Sequence, residues 1–352
     1  MELAGRKVLV TGASGFVGKR LVARLVAGGA CVTAMVRGAS SEVSSGSNVR
    51  VVTADLGSPD TLAEAVAGQA TVINCAAGTG RSARSRAEYE AANMSGVEHL
   101  LEACVAAGVE RVVHCSTTGV HGRLTRIPVD EDAPLRPNSL YRRTKLAGER
   151  VVRRYVDGGR LDAVVARLTT LYGPGSKCWL NVCRDISRGR GLLVGRGDQP
   201  FHVSYVDDVV EGLLCCAMSP RAAGRTYDIG TVPVPTLRGY FETIAGALGV
   251  PFRPRRIPAM PVRCATQLVS WLSPIVGGEP RWWHSADLFI GPRAYSIDRA
   301  RTELGFEPRV ALRDGVAGMV AWYREQGLLD AEADAVGDDV SSASTRVTGA
   351  GT

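Results

Sequence analysis

The 352-residue chain lacks any long apolar run. The roughly 18 uninterrupted apolar residues of a membrane span occur nowhere, so no stable membrane insertion is expected. Lysine is scarce: only four of the 42 basic residues are Lys. Aromatics make up 6% and never interleave with a dense basic run, so a net charge of +7 does not point to nucleic acid. The nine cysteines (Cys31, Cys75, Cys104, Cys115, Cys178, Cys183, Cys215, Cys216 and Cys264) are odd in number and never spaced C-x-x-C. That argues against a disulfide framework and a zinc site. Residues 1–6 run straight into a strand-like KVLV without a charged region and an apolar core. A secretory leader is therefore not expected, and the chain reads as cytoplasmic. Residues 330–352 lack large apolar side chains and carry five acids against one Arg. Such a segment cannot bury enough surface to fold, and a tail over 329–352 is expected to be disordered.

What is present, through the first half, is alternation. Short β-rich runs at 7–10, 31–36, 49–53, 71–75, 111–115 and 163–168 are separated by helical patterns at 16–27, 62–67, 87–107 and 139–155. In the first helix Val17, Leu21 and Leu25 share a face, with Lys19, Arg20 and Arg24 off it. Regular strand–helix succession predicts an α/β fold, a doubly wound parallel sheet of Rossmann type covered on both faces. After Tyr172 the rhythm loosens; helices are still legible at 206–218 and 236–248. We expect a dinucleotide-binding domain over 1–175, with elements near 204–231 returning to it. A smaller, interleaved, mainly substrate-binding domain is expected over 176–328.

The first strand–helix turn reads TGASGFVG, with Gly12, Gly15 and Gly18 spaced G-x-x-G-x-x-G. A tight turn, a close approach of backbone to pyrophosphate and close helix–sheet packing all require glycine there. The helix start then offers its free N–H groups to the phosphates, with Ser14, Phe16 and Val17 completing the cradle. An acid at the end of the second strand would bind the ribose of NAD. That place holds Arg37, which suits a 2′-phosphate, with Ser40 and Ser41 as added donors. NADP(H) is favoured over NAD(H). Asp55 and Leu56 follow the third strand, where the adenine is met. Ala76 and Ala77 keep the sheet's rim small where the cofactor crosses.

Tyr141 and Lys145 form Y-x-x-x-K on a helix, one turn apart on the same face. A phenol with a pKa near 10 exchanges protons poorly at neutral pH. A nearby ammonium is expected to lower it, making Tyr141 a general acid or base. Lys145 could also hold the nicotinamide ribose. At the end of the fifth strand, Thr117 is the hydroxyl expected to orient the substrate oxygen, with Ser116 as its alternate. His121, without an acid partner at readable spacing, is read as a pocket-wall or structural residue.

Together these residues resemble the extended short-chain dehydrogenase/reductase family, also described as the NAD-dependent epimerase/dehydratase family. The resemblance covers about residues 6–325. Further matches are Asn93-Met94-Ser95-Gly96, the run from Arg167 to Gly175, Ser204-Tyr205-Val206-Asp207-Asp208-Val209, Tyr227-Asp228-Ile229-Gly230 and Leu304-Gly305-Phe306-Glu307-Pro308. It implies that Asn93 supports a proton-relay water, and it suggests a homodimer through the long helices. Where family dehydratases place an Asp-Glu pair after the catalytic Thr, this chain has Thr118 and Gly119. Where sugar-nucleotide members often place Asn and Arg-Asp, it has Thr170 and the run Phe201-His202-Val203-Ser204. Together with a Trp-rich late segment (268–275 and 281–284), these departures favour the 3β-hydroxysteroid dehydrogenase-like and dihydroflavonol reductase-like members. The expected activity is hydride transfer between a ketone and a secondary alcohol on a mainly apolar small molecule. A sugar-nucleotide epimerase and a non-catalytic cofactor sensor are the alternatives.

Overall fold

Strands β1 (Lys7–Thr11), β2 (Cys31–Val36), β3 (Val49–Thr53), β4 (Thr71–Asn74), β5 (Arg111–Thr117) and β6 (Ala163–Leu168) alternate with helices. These are α1 (Phe16–Ala27), α2 (Leu62–Val66), α3 (Arg86–Glu90), α4 (Gly96–Ala106) and α5 (Leu140–Asp157). The computed structural model describes residues 3–38, 43, 45–79, 85–276 and 281–329, without the side chains of 273–285. Ser40, Ser41 and the tail from 330 onward lie outside the described residues.

The second half holds short strands β7 (Thr170–Tyr172), β8 (Leu192–Val194) and β9 (Val203–Tyr205), with α6 (Leu180–Ser187) between β7 and β8. Then come α7 (Val206–Met218), β10 (Thr226–Ile229), α8 (Leu237–Leu248), β11 (Arg255–Ile257), α9 (Ala259–Val276), α10 (Arg281–Ile290), α11 (Asp298–Leu304) and α12 (Leu312–Glu325). No helix among the described residues is long and apolar enough to cross a membrane.

The main sheet has seven parallel strands in the order β10-β6-β5-β4-β1-β2-β3. Its order reverses between β1 and β4, which opens a crevice beyond their carboxyl ends. One face is covered by α1 and α7, whose Leu21, Leu25, Val209 and Leu213 pack against Val10, Ile73 and Val164. The other is covered by α2, α4 and α5, through Leu62, Leu100, Val151 and Val152. Burial on both faces explains why β2 and β6 are apolar except at Thr33 and Arg167. A third core of Tyr172, Trp179, Phe201, Tyr240, Phe241 and Tyr323 ties α6, α8 and α12 together.

The helix expected as one rod over 87–107 is interrupted. A π turn at Ala91–Ser95 separates α3 from α4, a device often found at functional sites. It turns Asn93 inward, completely buried. Gly96 beyond it lies so close to Leu56 that a Cβ there would be 2.7 Å from the Leu56 Cβ. The late elements α9 to α12 were not delimited by the sequence reading; α11 is only two turns long, and Pro or Gly interrupts the patterns of α9 and α12.

Candidate active site

The Gly loop leaves β1 and meets the end of β4 at contact distance. Gly12 has φ +64°, and a Cβ on it would sit 2.8 Å from the Ala76 nitrogen. On Gly18 a Cβ would be 2.2 Å from the Gly12 carbonyl oxygen. Both positions are closed to any other residue. Thr11 pins the crossing: its hydroxyl donates to Asn74 Oδ1 at 2.6 Å and accepts from the Ala76 N–H at 3.2 Å. Helix α1 starts at Gly15 without a side-chain cap and without an acid in its first turn. Its orphan amides are thus left for an anion. Ser14, Phe16 and Val17 are half-buried on this turn. The Phe16 ring would lie 3.5 Å from a Cβ on Gly175. This cradle, open where a phosphate would sit and shut where a Cβ would, fits a dinucleotide. Ala77 lies beside Ala76, half-buried.

Arg37 is exposed just past β2 and makes no ion pair among the described residues. Asp55 spends one carboxylate oxygen on a turn, accepting from the Gly57 N–H at 2.8 Å, and is half-buried. Leu56 is buried, and its carbonyl lies 2.8 Å from His99 Nδ1.

Tyr141 and Lys145 share one face of α5, but not as expected electrostatically. Lys145 is 1% exposed, and its Nζ donates to the Cys115 carbonyl at 2.6 Å. Burial, followed by the neighbouring Tyr89 phenol, pushes Tyr141 up to about 12. The depression by Lys145 that the spacing suggested is therefore corrected: the ammonium is committed to the strand, and desolvation dominates the phenol. The two tyrosine rings meet edge to face at 6.4 Å.

Of the hydroxyls at the end of β5, Thr117 alone is half-buried rather than buried. It accepts from the Gly119 N–H at 3.1 Å, which leaves its own proton to donate. Ser116 points to the other side of the strand and donates to Glu149. Thr118 donates to the Leu168 carbonyl at 3.4 Å. Asn93 donates to the Gly78 carbonyl and to Thr144, both at 3.0 Å, and accepts from the Gly78 N–H at 2.8 Å. Its amide thus clamps the loop after β4 to α5, leaving one lone pair for a water.

Behind this layer lies a buried ionic network that motif reading missed. Arg167, in the otherwise apolar β6, pairs with Glu149 at 2.8 Å, both nearly inaccessible. The signal was present: Glu149 stands four residues after Lys145, and an Arg inside a buried strand must find a partner. His121 is buried, with Arg167 Nη1 at 3.4 Å and Asp228 Oδ2 at 3.9 Å. Burial first, then Arg167, pulls its pKa down to about 4. Asp228 carries no hydrogen bond on either carboxyl oxygen among the described residues. Burial raises its pKa well above the carboxylate range, against the pull of Arg167.

Of the tryptophans with described side chains, two of the late ones differ in setting. Trp179 belongs to the third core, stacked edge-on against Tyr240 at 4.8 Å, whereas Trp271 is 69% exposed on α9. The side chains of Trp282 and Trp283 lie outside the described residues.

A model of the NAD dependent epimerase/dehydratase family matches residues 8–230. The dTDP-glucose 4,6-dehydratase of Streptomyces niveus is 29% identical, aligned over 91% of this chain and 93% of its own length. The 2-alkyl-3-oxoalkanoate reductase of Stenotrophomonas maltophilia is also 29% identical, over 90% of this chain and 98% of its own. Among solved structures, MoeE5 in complex with UDP-glucose and NAD is similar with a TM-score of 0.71 and 30% identity. That likeness covers 91% of this chain and 99% of MoeE5.

Proposed function

The chain belongs to the NAD dependent epimerase/dehydratase family, and on that premise we propose that it is an NADP(H)-dependent oxidoreductase interconverting a ketone and a secondary alcohol on a mainly apolar small molecule. One observation carries this reading. The two positions after Thr117 hold no acid: Thr118 is turned to Leu168, and the space over Gly119 is taken by the Arg142 side chain. Elimination of water needs an acid and a base there, whereas hydride transfer needs one proton donor, Tyr141.

Gly12, Ser14, Gly15, Phe16, Val17 and Gly18 hold the pyrophosphate in this proposal. Asp55 and Leu56 meet the adenine, Arg37 takes the 2′-phosphate, and Ala76 and Ala77 flank the crossing. When bound, the nicotinamide supplies a hydride to the carbonyl carbon or takes one from the alcohol. Tyr141 gives its phenolic proton to the carbonyl oxygen, and the free Thr117 proton holds that oxygen in place. Lys145 places a buried positive charge beneath the cleft. The Stenotrophomonas relative, named as a reductase of an oxoalkanoate, supports the ketone–alcohol class.

A sugar-nucleotide epimerase is the second reading, favoured by the similarity to MoeE5 with its UDP-glucose and NAD. The two separate experimentally. An epimerase keeps NAD through purification, whereas the proposed reductase consumes added NADPH when given a panel of ketones.

A further inference from the structure

Arg142 follows Tyr141 in the first turn of α5, and its side chain is 13% exposed. It lies across Gly119: a Cβ on that glycine would be 2.9 Å from Arg142 Nε and 3.2 Å from Thr117 Oγ1. The guanidinium and the Thr117 hydroxyl are therefore within about 6 Å of each other. Arg142 Nη1 donates to Asn138 and lies 2.7 Å from Asp287 Oδ2. Asp287 comes from α10 and is 7% exposed. The same carboxylate takes Arg293 Nη2 at 3.1 Å and Asn138 Nδ2 at 3.1 Å.

Among the described residues, the guanidinium groups of Arg142 and Arg293 share the Asp287 carboxylate, and Arg293 donates as well to the Leu288 and Asp287 carbonyls. Arg142 Nε and Nη2 carry no hydrogen bond among the described residues. A buried, uncompensated positive charge costs stability unless something negative meets it.

Resting on the ketone–alcohol reading above, we propose that Arg142, steadied by Asp287 and Asn138, is the binding site for a substrate carboxylate. The substrate class is then an oxo acid with its carboxylate one or two carbons from the reacting carbonyl. Its apolar remainder extends away from Thr117. Such an anion offsets the excess charge through the two unused guanidinium donors, and a planar fork suits a carboxylate. With its carboxylate on Arg142 and its carbonyl oxygen on Thr117, the substrate is fixed at two points, which sets the face offered to the nicotinamide.

The test compares 3-oxooctanoate with its methyl ester, and octanoate with octanamide as non-reacting probes. For the unmodified protein with NADPH, kcat/KM for the acid should exceed that for the ester by about tenfold or more, the value of one lost charge-assisted contact. R142Q should cut that ratio about tenfold, mainly through KM for the acid. D287N, which removes the counter-charge and keeps Arg142, should preserve or enlarge it. A structural role alone would lower both substrates alike in R142Q, and that result overturns the proposal, as does a wild type indifferent to acid and ester. If no ketone turns over, the ketone–alcohol reading falls and binding decides the subsite alone. Octanoate raising Tm more than octanamide sustains it, and equal shifts overturn it.

Discussion

Lys145 Nζ donates to the main-chain carbonyl of Cys115 at 2.6 Å. The ammonium thus fastens α5 to the strand whose end carries Thr117, and it does so from a nearly inaccessible position. Replacing Lys145 by Met keeps the side chain's length but leaves that carbonyl without its donor. We expect turnover to fall about 100-fold, within the usual range for acid–base machinery. Stability should fall by about 1–3 kcal/mol, the cost of an unsatisfied buried acceptor. Steady-state kinetics and thermal melts on the same preparation check both.

The raised pKa of Tyr141, about 12, keeps the phenol protonated through the neutral range. As a proton donor it is ready; as a base it must first be deprotonated. Ketone reduction should therefore vary little between pH 6 and pH 9, while alcohol oxidation rises across the same interval. Rate–pH profiles in both directions measure this, and a reduction rate collapsing near pH 7 would assign the proton to another group.

His202 is fully buried, and its Nδ1 accepts from the Tyr295 N–H at 3.2 Å. Burial lowers its pKa to about 4. The folded state therefore binds fewer protons than the unfolded chain between the free histidine value of about 6.5 and pH 4. Its contribution is present above pH 6.5 and is lost as pH falls toward 4, by roughly 3 kcal/mol. His121 follows the same course. Melting temperature should drop steeply over that window, and H202Q should flatten the slope.

Glu149 and Arg167 form a buried pair that also receives Ser116. Removing one partner strands a charge, so E149Q or R167M should each cost about 3–5 kcal/mol. The double variant should cost less than the sum of the two. Denaturant unfolding of the four proteins gives the coupling directly.

Arg37 should decide the cofactor. R37S is expected to raise KM for NADPH about tenfold or more and leave NADH little changed, because it removes the bidentate contact proposed for the 2′-phosphate. Equal effects on both nucleotides would remove Arg37 from that role.

Much of the sheet was legible in advance. The bounds of β2, β3, β6, α1 and α7 follow from the sequence because the strands are short β-rich runs, largely apolar in β2 and β6, and α1 carries a clean apolar stripe. The Gly loop was legible because glycine at 12 and 18 answers a steric demand visible in the motif itself. What stayed hidden depends on direction or distance. Thr117 was preferred over its neighbour Ser116, but what Ser116 does was not legible: strand alternation sends it to Glu149, while Thr117 accepts from the Gly119 N–H. The spacing of Tyr141 and Lys145 fixed their common face but not which partner the ammonium takes. Arg142 and Asp287 meet from elements far apart in the chain, so neither marks the other in the sequence.

The most direct test is NADPH consumption by the purified protein against a panel of ketones and oxo acids, run beside Y141F with NADPH binding measured separately. The account predicts stoichiometric formation of alcohol by the unmodified protein. Y141F should lose at least about 100-fold in turnover while binding NADPH as before. Undiminished turnover in Y141F, or no ketone reduced by the unmodified protein, would contradict it.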